Sequence, residues 1–457
     1  MFPSLGMIVM MVICAVSATA FVLWPRPGEQ DMEFWTFARV HEETYSGMID
    51  RWNRNALETD KPTVRMSVVD GNAMIRRTLS AFWAGTPVAD VYEVERDMIG
   101  QFFAGPVEDV GFVDMTDRLK DSGVYEKFNA PSLSTWTKEG RIFGIPHDVH
   151  PVMLAYRVDI VEEAGIDIES IRTWDEFARV MQPLVQDLDG DGTADRYPLN
   201  IWYTNNQLIE TLLLQAGGGM FDAEENCLLS SDANARVLST LIAWCFGPQR
   251  IAIDAPEFSP SGNQLRLDGR VVCTIMPDWL AGVYKQDLPQ LSGKLRLMPL
   301  PAWEPGATRT SVMGGTMLAV TASSEHLDAA WEFAQDLYLS RELAERIFTV
   351  NTMISPVRDL WEEDFYKEPD PFFGGQVVGL AYIELAPEVP ARTSSQFRMI
   401  ALTRMGLAIN SLKRYAESNN EYNVDRLFPV ARRLLREQQD GLMQEMNRNV
   451  FLRDREQ

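Results

Sequence analysis

The chain reads as an α/β protein: two α/β bodies followed by a helical region. Three observations predict this. Its 457 residues exceed one compact core and suit two or three domains. Short β-rich runs alternate with amphipathic helical ones, the rhythm of a mostly parallel α/β layer. The last stretch, Phe397–Asn447, keeps helical apolar spacing throughout, with a break at Ser418-Asn419-Asn420.

Taken in order, Asp31–Phe37 predicts a strand, Glu42–Asn55 a helix, Thr63–Val69 a strand, Asn72–Trp83 a helix and Val88–Val94 a strand. A second series begins near residue 151, with helices near Asp159–Glu163, Trp174–Gln186 and Gln207–Leu214. Strands recur at Val271–Met276, Leu295–Pro299 and Met317–Val320, and Ala329–Leu339 and Arg341–Phe348 carry helical spacing. No fixed-period repeat and no low-complexity tract interrupts the pattern.

A net charge of −23 argues against a nucleic-acid partner, whose phosphates it would repel, and against a polybasic grip on anionic lipid. A neutral ligand or a cation is the easier partner. The segment Leu5–Trp24 has no charged residue and reaches the roughly 20 residues a membrane-spanning helix needs. Three outcomes are open. The run is retained as an uncleaved anchor, which is preferred. It is cleaved after Ala18-Thr19-Ala20, where small residues suit a signal peptidase. Or Cys14 is lipid-modified, although Met11-Val12-Ile13 before it suits that processing poorly. Each places the rest of the chain outside the cytoplasm, in the periplasm or on the outer membrane face. Cys227, Cys245 and Cys273 are odd in number and lack metal-site spacing, which favours buried unpaired thiols over a disulfide framework.

Phe34–Phe37 (FWTF), Ala81–Leu119 with its AGTPVADVYEVERD core, Gly144–Ile166 (GIPHDVHPVMLAYRVDIVEEAGI) and Thr173–Phe177 (TWDEF) form an ordered series. Gln215–Asp222 (QAGGGMFD), Leu267–Trp279 (LDGRVVCTIMPDW), Met298–Trp303, Arg309–Val320 and Ala329–Phe333 complete it. In that order they resemble the extracellular solute-binding proteins of sugar ABC transporters, of the maltose-binding class. Glu368–Pro390 is most similar to members that take lactose or arabino-oligosaccharides. Ala89 and Arg157 depart from the usual Pro and Asn. The resemblance implies a two-lobed, type II periplasmic-binding-protein-like clamp with discontinuous lobes and a helical C-terminal region. It divides the chain into a signal or anchor segment (1–30), lobe I (31–150 plus 311–345) and lobe II (151–310 plus 346–457). It implies sugar or oligosaccharide binding, delivery to ABC permease subunits by hinge closure, a monomer, no catalysis and no required cofactor.

Sugar recognition needs an apolar face for pyranose C–H groups and paired polar groups for hydroxyls, gathered on loops at strand ends. Trp35 and Phe37 close the first strand, and Glu95 closes the Val88–Val94 strand, where relatives place a sugar-binding acid. His147, Asp148 and His150 follow Ile145, and His150 matches a ligand-contacting position of the family. Asp278 and Trp279 follow Val271–Met276, and Trp279 matches its stacking aromatic. Asn200, Trp202, Tyr203 and Asn205 form a polar-aromatic loop, and Gly314 and Gly315 let backbone N–H groups approach a ligand. Trp174, Trp244 and Trp331 sit on helical faces and read as core.

Asp187, Asp189, Asp191, Thr193 and Asp195 fit the opening positions of an EF-hand-type Ca²⁺ loop, with Gly192 at the turn. Pro198 stands where the closing bidentate Glu belongs, so a structural Ca²⁺ site and an acidic surface turn both remain open. A sugar sensor is one alternative function. A glycosidase using paired acids such as Glu95 and Asp278 is another, although no Gly-x-Ser-x-Gly, His-Glu-x-x-His or phosphate loop occurs.

Overall fold

The computed structural model describes residues 31–448. The strands that build its two larger sheets are β1 (Asp31–Thr36), β2 (Thr63–Val68), β3 (Val91–Glu95), β4 (Ile145–Pro146), β5 (Val152–Arg157), β6 (Tyr197–Asn200), β7 (Ala252–Ile253), β8 (Val271–Pro277), β9 (Leu295–Pro299) and β10 (Thr316–Val320). The first sheet has the order β2-β1-β3-β10-β4 and the second β9-β5-β8-β6-β7. β5, β8 and β10 are buried at every position, the continuous apolar run expected of strands covered on both faces.

The first three strands run parallel, with Phe34 opposite Met66 on one side and Val91 on the other. β10 returns from far along the chain and enters this sheet antiparallel, Val320 facing Val91. In the second sheet β8 runs antiparallel to β5, Cys273 against Tyr156, and parallel to β6. The chain thus leaves the first sheet after β4 through His147–Pro151 and comes back through Thr310–Gly315. These crossings lie side by side, since Pro151 bridges Val312. A third crossing follows the helix Arg341–Asn351, where the Val149 amide donates to the Ile354 carbonyl at 3.1 Å.

Local chemistry sets the boundaries. The Thr173 hydroxyl and Glu176 carboxylate cap each other's backbone, starting the helix Trp174–Met181. That helix ends before Pro183 rather than at Gln186, because proline supplies no amide to the next turn. β3 begins at Val91 instead of Val88. The Arg398–Asn419 helix closes on Asn420 with φ +51°, and Asn423 caps the Val424–Met446 helix, so the break lies just past Ser418. Both tail helices pack Leu402, Met405, Leu412, Leu427 and Leu435 into one core with Leu238 and Leu241 of the helix Asp232–Cys245, which sequence spacing marked only at Trp244. Cys227, Cys245 and Cys273 are unpaired, the last two buried. Among the described residues no helix is long and apolar enough to cross a membrane, and the anchor and cleavage readings of 1–30 lie outside them.

Candidate functional site

The crossings bring His147, Asp148, His150, Asp278 and Trp279 together. β8 ends at Pro277, and the helix Asp278–Asp287 begins there, so the Asp278 carboxylate turns back toward the crossing strands. His150 holds φ +59° and points its ring between two acids: Nδ1 lies 2.6 Å from Asp278 Oδ1 and Nε2 2.9 Å from Asp148 Oδ1. His147 Nδ1 sits 2.7 Å from the other oxygen of Asp148, and its Nε2 is buried without a partner. Asp278 also accepts the Trp279 amide at 2.7 Å and the Ile354 amide at 2.9 Å. All four polar residues are buried, so this group is a network inside the crossing, paired throughout except at His147 Nε2, rather than an open wall.

Its electrostatics follow from pairing in a dry environment. Burial pulls the His150 pKa down, but Asp148 and Asp278 outweigh it and raise it to about 10. Burial alone would raise Asp148, yet His150 and His147 hold it well below the usual carboxylate range. A second knot lies alongside it. Glu93 accepts from Tyr45 at 2.5 Å, Tyr338 at 2.6 Å and Thr36, with His41 Nδ1 at 2.7 Å. His41 overcomes the burial cost and holds Glu93 at about 2. The His41 and His147 rings lie 5.5 Å apart and join the two knots.

Trp279 is half-buried, packs against the cores of both halves and donates Nε1 to the Met313 carbonyl at 2.8 Å. Phe258 lies nearly parallel to it, ring centroids 6.1 Å apart, and is 61% exposed on a backbone of φ +58°. Trp202, Asn205, Gln207 and Met313 line the same small cavity of about 50 Å³. Gly314 has φ +100°, and a Cβ there would meet His150 and Trp279 at 3.0 Å, so only glycine lets this loop run so close.

Glu95 of the first half meets this cavity's wall through Gln207. Gln207 Nε2 of the second half lies 3.5 Å from Glu95 and 3.2 Å from Asp97. Burial, reinforced by Asp97, raises the Glu95 pKa to about 7. Next to it Arg398 forks onto Glu210 and reaches Asp97 at 2.5 Å, while Arg96 lies 3.6 Å from Glu210. Arg96, Glu210, Arg398 and Arg392 line a cavity of about 630 Å³ between the two halves. The two halves thus meet through hydrogen bonds and ion pairs.

Other sequence-predicted residues lie apart. Trp35 packs edge-on against Tyr92 and shares a surface depression with Arg76 and Arg77. Phe37 rests on His41 at 5.4 Å. Tyr203 packs on Phe246 with the Lys413 ammonium over its ring, away from its neighbour Trp202. Gly315 accepts the Arg96 amide at 2.9 Å through its carbonyl. In the acidic loop, oxygens of Asp187, Asp189 and Asp195 lie within 4.8 Å of one another. Asp191 instead caps the Thr193 amide at 2.7 Å, and Arg270 holds Asp195 at 2.6 Å. Sequence reasoning missed Gln207, Glu210, Phe258, Arg392 and Arg398. The available signal was a charged residue on an apolar face, as with Arg398 in line with Leu402 and Met405.

A profile described as bacterial extracellular solute-binding protein matches residues 39–341. An arabinooligosaccharide-binding protein of Halalkalibacterium halodurans is 27% identical over 380 residues, 81% of each chain. A lactose-binding protein of Rhizobium radiobacter is 25% identical over 284 residues, 61% of this chain and 64% of that one. Among solved structures, the sugar-binding protein MalE of Xanthomonas citri matches with a TM-score of 0.70 at 18% identity, covering 91% of this chain and 99% of that chain.

Proposed function

The chain belongs to the bacterial extracellular solute-binding protein family, and on that premise we propose that it captures a sugar or oligosaccharide outside the cytoplasm for delivery to an ABC-type uptake permease. The observation that carries this reading is the cleft itself. Trp279 offers a ring on one half, Glu95 and Asp97 offer carboxylates on the other, and Gln207 spans the gap between them. A ring for C–H groups beside acids for hydroxyls is what pyranose recognition requires. Closure of the halves around a ligand would enclose it and present one shape to a permease. The 27% identical arabinooligosaccharide-binding relative supports an oligosaccharide over a single sugar. Asp278, one of the acids a glycosidase would use, is fully buried and spent on His150 and two amides, which counts against that alternative.

We place the N-terminal segment as an export signal or membrane anchor, the protein acting as a monomer. We also propose a structural Ca²⁺ site at Asp187, Asp189 and Asp195, whose hard oxygens suit that ion. A thermal-shift screen of the purified protein against mono- and oligosaccharides tests the main reading, because a ligand of the folded form raises its melting temperature. Absence of any shift across arabinose-, galactose-, glucose- and uronate-based oligosaccharides would refute it. So would steady turnover of a bound sugar.

A further inference from the structure

The 630 Å³ cavity holds more positive charge than its own acids neutralise. Arg96, Arg392 and Arg398 gather at its wall, and the acids in direct reach are Glu210 and Asp97. Arg398 takes both, forking onto Glu210 and extending to Asp97. Arg96 spends its fork on the Thr393 carbonyl at 2.8 Å and the Ser394 hydroxyl, and its Nε is buried without a partner. That leaves Arg392. Its backbone amide donates to Ser134 at 3.0 Å, but among the described residues its guanidinium has no hydrogen-bond acceptor. It lies against the Gly315 loop and Trp136, on the cavity wall.

The nearby acids are already engaged, and of the cavity's other two, Asp222 accepts from the Asn226 side-chain amide at 2.9 Å and Glu139 has partners of its own. Asp148 is held by His147 and His150, Glu210 and Asp97 by Arg398 and Glu95 by Gln207. Glu95 also titrates near neutrality, so it supplies less than a full charge. Burial, the largest effect, together with the neighbouring Arg398, lowers the Arg392 pKa to about 10 against the opposing pull of Glu210, Asp148 and Asp97, none of which hydrogen-bonds to it. A guanidinium presents a rigid planar fork suited to two oxygens of one carboxylate. A half-buried cation without such a partner is costly, and a ligand that brings the anion recovers that cost.

We propose that the cleft accepts a sugar carrying a carboxylate, a uronic acid or an oligosaccharide containing one, and that Arg392 is the residue that binds the acid group. This rests on the sugar-binding reading above and narrows it. The net charge of the whole chain does not oppose it, because exposed charges beyond about 10 Å are screened at ordinary salt while this cluster is buried.

The test uses the purified full chain and matched pairs of probes: digalacturonate against its carboxyl-reduced digalactose, and the corresponding glucuronate- and mannuronate-containing disaccharides against theirs. Calorimetry should show at least one uronide binding about tenfold or more tighter than its reduced partner, the margin expected of a bidentate charge-assisted contact. Arg392→Met should collapse that preference toward equality and Arg392→Lys restore part of it, with melting curves confirming that both variants fold. The comparison on the unmodified protein needs no variant at all. Neutral disaccharides binding as well as or better than the uronides would overturn this proposal and leave the sugar-binding reading standing. Binding of neither kind would overturn both. A uronide preference that survives Arg392→Met would refute the role given to Arg392.

Discussion

His150 Nδ1 lies 2.6 Å from Asp278 Oδ1, joining the first crossing strand to the end of a central strand in the other half. The pair is buried, and Asp148 holds the opposite face of the ring. The imidazole is therefore a charged link between two carboxylates at the point where the halves meet.

This link predicts how stability depends on pH. His150 has a folded pKa of about 10 against an ordinary value of 6.5. A raised histidine stabilises fully below the unfolded value and loses that contribution as pH rises through the folded one. Glu93 is lowered to about 2 from 4.5, so its contribution is present above 4.5 and fades as pH falls toward 2. Urea unfolding should thus be hardest between those limits, in mildly acidic solution, and ease progressively from pH 7 to 10. Asp278→Asn should cost about 3–5 kcal/mol by stranding a buried charge, and should flatten the alkaline slope. An alkaline slope unchanged in this variant would show that the pair does not set it.

The sheets were largely legible because their strands are short, mostly apolar runs: Val271–Met276, broken only by Thr274, and Leu295–Pro299, broken only by Arg296, needed no partner to be recognised. Trp279 and Glu95 were legible as strand-end residues. The Arg96–Glu210–Arg398 cluster was not, because Arg398 meets Asp97 across 301 residues of chain and only the return of the tail brings them together. Tyr203 shows the opposite failure. It shares a loop with Trp202, but Phe246 and Lys413 turn its ring toward the tail helices, and sequence proximity does not report that direction.

The acidic loop gives a second prediction. Backbone amides of Gly190 and Gly192 already satisfy Asp187, and these bonds keep its carboxyl below the ordinary range. Ca²⁺ should raise the melting temperature by recruiting Asp187, Asp189 and Asp195 together. Asp189→Asn should abolish that increment and leave the metal-free unfolding free energy within about 0.5 kcal/mol of the parent, as expected for an exposed residue. Identical melting curves in Ca²⁺ and EDTA would reduce the loop to a surface turn.

Closure should respond to pH through Glu95. Its pKa of about 7, against an ordinary 4.5, belongs to the arrangement in which it is buried beside Asp97, with Gln207 of the other half at 3.5 Å. A raised carboxyl penalises the closed form once it ionises, so the penalty is absent below 4.5 and complete above 7. Sugar affinity should rise as pH falls from 8 to 5, and Glu95→Gln should remove most of that dependence. Calorimetry at three pH values on both proteins decides it; equal slopes would place the titrating group elsewhere.

Trp279 carries the sharpest expectation, because it serves the cleft and the core at once. Its ring contacts the packed interiors of both halves, its Nε1 donates to Met313, and Phe258 shields its outer face. Trp279→Ala should weaken sugar binding by roughly 2–4 kcal/mol, as loss of a stacking platform does. It should also lower unfolding free energy by about 3–5 kcal/mol, since the truncation leaves a cavity. Trp279→Phe separates the two roles. It keeps a stacking face and most of the packed volume but abandons the hydrogen bond to Met313, so affinity should largely recover while stability recovers only in part. Calorimetry for affinity and urea for stability, run on both variants, give four values. If Trp279→Ala unfolds more easily but binds sugar as tightly as the parent, the ring belongs to the core alone, and the platform must be sought at Trp202 or Phe258, which line the same cavity.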